Sequence, residues 1–290
     1  MSIRDLLLTL LVVIVWGVNF VAIKLGVADI PPLFLTALRF FFTALPAVFF
    51  LARPKTSWGA LAAFGLLLGV VKFGLVFSAV KLGMPAGLTS LVMQLQVFFT
   101  FGLAFFLLGE RPSRIQYFGA AIAFAGIGIV ATERMQGAAL GPFLMVIGAS
   151  FAWGCANIVV KKSGKVDMLA FLVWASLFSP IPLALLSLWL EGWQPILNSL
   201  SPPSLTAVGS LAFIVGPSTL FAFAVWNALL QKYPTSTVAP FALLVPVFGI
   251  LSGVLLLGEP FSLLAMLGSA VVFLGLLVNV FGDRLLHRLR

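Results

Sequence analysis

Residues 16–26 read WGVNFVAIKLG, and residues 153–164 read WGCANIVVKKSG. Trp, Gly and Lys recur between them at an offset of 137 residues. A second pair, FFLLGERPS at 105–113 and VLLLGEPFS at 254–262, recurs at an offset of 149, as do Pro85 and Pro234. The chain therefore divides into two related halves, residues 1–137 and 138–290, and the second half carries a net insertion of about twelve residues between its landmarks.

The composition fixes the solvent in which these halves fold. The chain has 290 residues, 62% of them hydrophobic and 9% charged. A soluble domain carries about 25% charge. The reading is an all-α integral membrane protein. A β-barrel is disfavoured, because its strands alternate over about 9–11 residues whereas the apolar runs here are continuous over about 20. Ten spans are expected, near 6–25, 33–52, 58–80, 87–108, 115–132, 140–160, 168–190, 204–230, 236–257 and 262–281. Short segments rich in Pro, Gly and charge (ADIPP, ARPKTS, KLGMP, GERPS, EPFS) separate several of them. Five spans per half is an odd number, so the halves have opposite orientations. Ten helices in two inverted five-helix repeats is an arrangement associated with alternating access around a midplane site, though some channels share it.

Orientation follows from lysine and arginine. A cytoplasmic N-terminus places twelve of these residues inside and three, Lys24, Lys81 and Arg134, outside. Both termini are then cytoplasmic, and the net charge of +9 belongs mostly to loops, not to a nucleic-acid surface. The N-terminal apolar run continues past a signal-peptide core without a small-residue cleavage site. Cys155 is the single cysteine, so an intramolecular disulfide is excluded.

Further stretches carry a family likeness: VVIVWGVNFVAIKLG, IPPLFLTALRFF, GMPAGLTSLVMQLQVFFT, GERP, FAWGCANIVVKK and VAPFALLVPVFGI. Together they resemble the EamA family of the drug/metabolite transporter (DMT) superfamily, and the resemblance runs over essentially the whole chain. It implies a multi-pass exporter of the bacterial inner membrane, without cofactor, whose substrates are small amino acids or related metabolites of the cysteine or O-acetylserine kind. It also implies a central cavity lined mainly by helices one to four and six to nine, with helices five and ten peripheral. One position departs from the implied pattern: Lys72 stands where an uncharged glutamine is expected.

Polar residues inside the spans are the candidates for a site. All eight acidic residues fall at or beyond span ends. Two basic residues, Arg39 and Lys72, lie within spans, at similar depth. Burying such a charge costs at least ~2.5–3.5 kcal/mol, so it seeks a cavity or a partner. With no intramembrane carboxylate to pair with, an anionic group of the substrate is one candidate partner; backbone carbonyls and water are the others. On a 3.6-residue period Lys72 shares a face with Gly65, Gly69, Val76 and Ala79, and Arg39 with Thr36, Thr43 and Pro46. Lys24 and Lys81 are expected to snorkel to an interface.

Trp16 and Asn19 in the first span, Trp153 and Asn157 in the sixth, and Met93, Gln94 and Gln96 in the fourth complete the lining set with Trp174 and Trp226. Each also has a packing role as its alternative. Pro85, Pro234, Pro240 and Pro246 are candidate hinges, since each removes a backbone hydrogen bond; a static bend is the alternative. The stripes Gly119, Ala123, Gly126 and Gly268, Gly275 read as helix contacts.

His287 is the only histidine and lies in the basic tail. No metal-ligand spacing and no catalytic constellation is present, so nothing points to an enzyme. The partners expected are a small-molecule substrate and the lipid bilayer, and a monomer satisfies the sequence. Efflux of lipophilic drugs, and a channel or lipid-handling role, are the competing readings.

Overall fold

The computed structural model describes residues 1–109, 113–135, 140–200, 202–233, 238–260 and 262–289. Helices make up almost all of them. In chain order they are α1 Ile3–Asp29, α2 Pro32–Phe49, α3 Trp58–Lys81, α4 Ala86–Leu108, α5 Arg114–Met135, α6 Leu140–Lys162, α7 Met168–Ser176, α8 Pro180–Leu190, α9 Trp193–Leu200, α10 Leu205–Leu229, α11 Val245–Leu257 and α12 Leu263–Leu289. Six are long and apolar enough to cross a membrane; α7 and α8, bent by 45° across the break at 177–179, make a seventh if taken as one span. The described parts of α5, α11 and α12 contain shorter apolar stretches.

Four of these helices depart in part from α geometry: α2, which ends in a 3-10 turn at Ala47–Phe49, and α3, α4 and α10. Leu66–Phe73 in α3 and Gly216–Phe221 in α10 are π-helical. Met93–Leu95 in α4 is a 3-10 turn, and Ala239–Leu244 forms a 3-10 segment leading into α11. Pro240 lies in that segment and Pro246 in the first turn of α11. Pro85 is the N-cap of α4. Pro234 lies outside the described residues.

Membrane interiors offer no water to satisfy polar groups, so the ends of helices carry the polar chemistry. At one end of the bundle, carboxylates from one helix cap the start of another. Glu191 accepts from the backbone N–H groups of Leu33 and Phe34 at 2.8 and 3.2 Å. Glu259 accepts from those of Ala86 and Gly87 at 2.9 and 3.2 Å, and from Lys24 at 2.7 Å. These N–H groups belong to first turns, which have no intrahelical acceptor and carry partial positive charge. Lys81 donates to the carbonyls of Val27 and Ala28, and Ser204 donates to Asp29. The ammonium groups of Lys24 and Lys81 are therefore held by protein acceptors, where the sequence suggests snorkelling. At the opposite end Asp5 accepts from Lys232 at 2.7 Å and from the Tyr233 hydroxyl at 2.6 Å.

Close approach of helices rests on glycine. α5 and α12 pack chiefly against each other. A Cβ on Gly126 would stand 2.6 Å from the Val272 nitrogen, and one on Gly275 2.5 Å from the Ala123 nitrogen. The glycine stripes are thus the contact surface, as their sequence suggests. Gly128, two residues from Gly126, faces open space.

Two stability tests follow from this packing. Gly126→Ala should lower the unfolding free energy in detergent by about 1–3 kcal/mol, the range for overpacking, while Gly128→Ala, open at its Cβ, should not lower it. Thermal unfolding followed by tryptophan fluorescence compares them, and equal losses would reject the contact. Glu259→Ala strands two N–H groups and the Lys24 ammonium, so it should cost about 2–4 kcal/mol by the same measurement.

Candidate functional site

The site is built on the two π segments. A π turn is wider than an α turn and recurs at functional positions in helices. Lys72 is the penultimate residue of the first segment and Thr219 lies in the second. Arg39, on α2, joins them: its Nη2 donates to Thr219 Oγ1 at 3.1 Å. Thr219 in turn donates to the Ile214 carbonyl at 2.7 Å, five residues back, as the wider turn allows.

Both cations are buried, at 4% exposure for Arg39 and 6% for Lys72. They share one aromatic ring. The Arg39 guanidinium carbon is 3.8 Å from the Phe73 centroid, and Lys72 Nζ is 3.4 Å from it. Lys72 Nζ also lies 4.1 Å from the Trp153 ring. Phe40 and Phe77 stand further off, at 5.8 and 5.9 Å from Arg39.

The five carboxylates whose side chains are described are engaged elsewhere. Asp5, Asp29, Glu191 and Glu259 hold the contacts given above, and Asp167 caps α7 through the N–H groups of Leu169 and Ala170. No carboxylate among the described residues reaches Arg39 or Lys72. The rings compensate part of the charge, about 0.5–2 kcal/mol each. They do not satisfy the donors. Arg39 Nε and Nη1 are buried without an acceptor, and an unmet buried donor costs about 1–3 kcal/mol. Because both cations lie over one ring they are no more than ~7 Å apart, and at an effective dielectric of about 20 they repel by roughly 2 kcal/mol. Two further buried oxygens, Asn19 Oδ1 and Thr43 Oγ1, have no partner either.

Aromatic and amide groups extend the site on both sides. Trp16 donates from Nε1 to the carbonyl of Ser218 at 3.0 Å, next to Thr219. Its ring meets Trp226 at 5.1 Å and Phe223 at 5.5 Å. A continuous path therefore runs from Trp16 through Thr219, Arg39, Phe73 and Lys72 to Trp153, the repeat partner of Trp16. One turn beyond Trp153, Asn157 donates to Gln96 Oε1 at 2.8 Å and to Thr100 Oγ1 at 3.0 Å. Met93 lies 3.6 Å from Ser150 Oγ through its sulfur. Gln94 Nε2 is 3.5 Å from the Ala242 carbonyl, which brings the 3-10 turn of α4 against that before α11.

Trp174 sits apart from this group. It donates to the Leu51 carbonyl at 3.0 Å and packs on Trp58 at 6.0 Å, at the start of α3. Lys72 is fourteen residues further along, roughly 21 Å by helical rise. Asn227, oriented to present its amide oxygen, accepts from the N–H groups of Met168 and Leu169 and so caps α7.

Sequence reasoning missed Phe73 and Thr219. Phe73 gave no signal among so many phenylalanines. Thr219 had one: Gly216 and Pro217 in the middle of an apolar run mark a broken helical ladder. The expected shared face of Lys72 with Gly65 and Gly69 is also split. A Cβ on Gly65 would meet the Ala175 carbonyl and one on Gly69 the Ser179 hydroxyl, whereas Lys72 turns to the Trp153 ring of α6. The wider π turn changes the angular step on which that expectation rested.

Comparison with known proteins agrees with the helical, apolar architecture. The chain matches the EamA-like transporter family over residues 4–132 and again over 140–281. A protein of Salmonella typhimurium described as a probable amino-acid metabolite efflux pump is 41% identical, over 98% of this chain and 97% of its own length. A protein of Escherichia coli K12 with the same description is likewise 41% identical, with the same coverage. A solved crystal structure shares the fold at a TM-score of 0.63 and 19% identity, covering 98% of this chain and 99% of that one. With two family matches spanning nearly its full length and relatives that align from end to end, the chain belongs to the EamA-like transporter family.

Proposed function

We propose that the protein is an alternating-access exporter of the bacterial inner membrane that carries small amino acids or related metabolites. In this reading ten spans form two inverted five-helix repeats, residues 1–137 and 138–290, with both termini cytoplasmic. The observation that carries it is the repeat-matched breaking of helices. The π segments of α3 and α10 lie about 150 residues apart, as do the 3-10 segments in α4 and before α11. That spacing is close to the 149-residue offset separating Glu110 from Glu259 and Pro85 from Pro234. Broken helices paired across halves are how transporters build a midplane site.

Arg39 and Lys72 are then the anchors for a substrate carboxylate. Asn19 offers the acceptor, and Trp16, Trp153 and Trp226 the aromatic faces, for a substrate ammonium. Gln94, Gln96, Asn157 and Met93 line the flank nearest α4 and α6, and Trp174 guards the cytoplasmic approach. Pro85, Pro234, Pro240 and Pro246 are the points at which the two halves flex. The substrate class rests on the descriptions of the relatives that are 41% identical. Efflux of lipophilic cations fits less well, since cation recognition in a membrane calls for a buried carboxylate, and the described ones are engaged at helix ends.

The reading is tested by counterflow. Purified protein in liposomes loaded with unlabelled amino acid should accumulate the labelled form well above protein-free liposomes. Absence of exchange for amino acids of every charge class would overturn the exporter reading.

A further inference from the structure

The charge balance around Arg39 narrows the substrate further, given the exporter reading above. A zwitterionic amino acid brings one carboxylate and one ammonium, a net charge of zero. Placed between two cations it satisfies one and sets a third cation beside the other. The site holds two buried positive groups over one ring and two unmet Arg39 donors, and Asn19, one turn along α1 from Trp16, keeps an unmet acceptor oxygen. No carboxylate among the described residues reaches it.

We infer that the preferred substrates carry two negatively charged groups, as acidic amino acids and short dicarboxylates do, and that Lys72 together with Arg39 selects them over neutral amino acids. One carboxylate takes the free Nε or Nη1 of Arg39. The second takes the Lys72 ammonium, which leaves the faces of Phe73 and Trp153 for an ionic partner. An amino group, where present, donates to Asn19 Oδ1. Arg39 is the fixed member of the pair, because Thr219 holds its Nη2. Lys72 is the adaptable one, since among the described residues aromatic rings hold it. Both groups are buried, so the substrate reaches them only when the helices part.

The experiment is competition in the counterflow assay, using liposomes that exchange labelled amino acid. In the wild type, aspartate, glutamate and succinate should each compete at concentrations at least tenfold lower than serine or cysteine. Lys72→Gln should reduce that acidic-to-neutral ratio at least tenfold, and Lys72→Arg should keep it. Size-exclusion profiles and melting temperatures establish that both variants fold. A second readout is independent of transport: aspartate should raise the melting temperature of the detergent-solubilised wild type more than serine does, and the difference should vanish in Lys72→Gln. Aspartate without succinate would place recognition on one carboxylate and the amino group, and would overturn the two-anion requirement. Neutral amino acids competing as well as acidic ones, or a ratio unchanged by Lys72→Gln, would overturn this inference and leave the exporter reading standing. Exchange of no amino acid at all would overturn both.

Discussion

Hydrocarbon supplies no hydrogen-bond partners, and this constraint governs where the polar groups of the described residues sit. The carboxylates illustrate it. Asp5, Asp29, Asp167, Glu191 and Glu259 all sit at or just beyond helix ends, and each has donors waiting there: first-turn N–H groups, a serine, or a lysine from a neighbouring helix. Glu259 serves three elements at once, since it follows α11, caps α4 and pairs with Lys24 of α1. A carboxylate used in this way is not available at the midplane. Among the described residues no carboxylate is then left to pair with Arg39 or Lys72.

The second constraint is the backbone ladder. Regular α geometry satisfies every internal peptide group, so a departure from it inside a membrane needs compensation. In α10, Thr219 supplies part of it by donating its hydroxyl to the Ile214 carbonyl while accepting from Arg39. The Ser218 carbonyl accepts from the Trp16 indole. Irregular backbone in one half is therefore tied to side chains of the other, through Trp16 on α1 and Arg39 on α2. These cross-links are few and polar, set in a largely apolar interface.

The depth of each polar residue was legible in the sequence, because hydropathy and helical rise place a residue along the membrane normal. Hence the helix-end placement of Asp5, Asp29, Asp167, Glu191 and Glu259 and the burial of Arg39 and Lys72 within helices agree with expectation. Lateral placement was not legible. Helices that are apolar on every face carry no amphipathic signal to say which neighbour a residue meets. Trp174 and Trp153 are both tryptophans in second-half spans, yet one packs on Trp58 near the start of α3 and the other on Lys72. Glycine is the exception, because a missing side chain records a close neighbour: the stripes holding Gly126 and Gly275 read as helix contacts, and the structure shows that they meet each other between α5 and α12. The angular position of Lys72 failed for a different reason. It assumed a constant 3.6-residue period, and LLLGVVKF is where the period changes.

The way Lys72 is held bears on how a transporter must work. A fixed ion pair would compete with any anionic ligand, and breaking it on each cycle would leave its buried charges uncompensated. An aromatic face attracts a cation without occupying its hydrogen-bond donors, and the attraction is soft in direction. Phe73 and Trp153 thus keep the ammonium in place while leaving its donors free. The two rings come from different helices, α3 and α6. A relative shift of those helices changes the number of faces over Lys72, and so changes how strongly the empty site holds its own cation. In the proposed exporter, the affinity for an anion would then depend on helix position, which is the differential interaction that any ligand-driven conformational change requires.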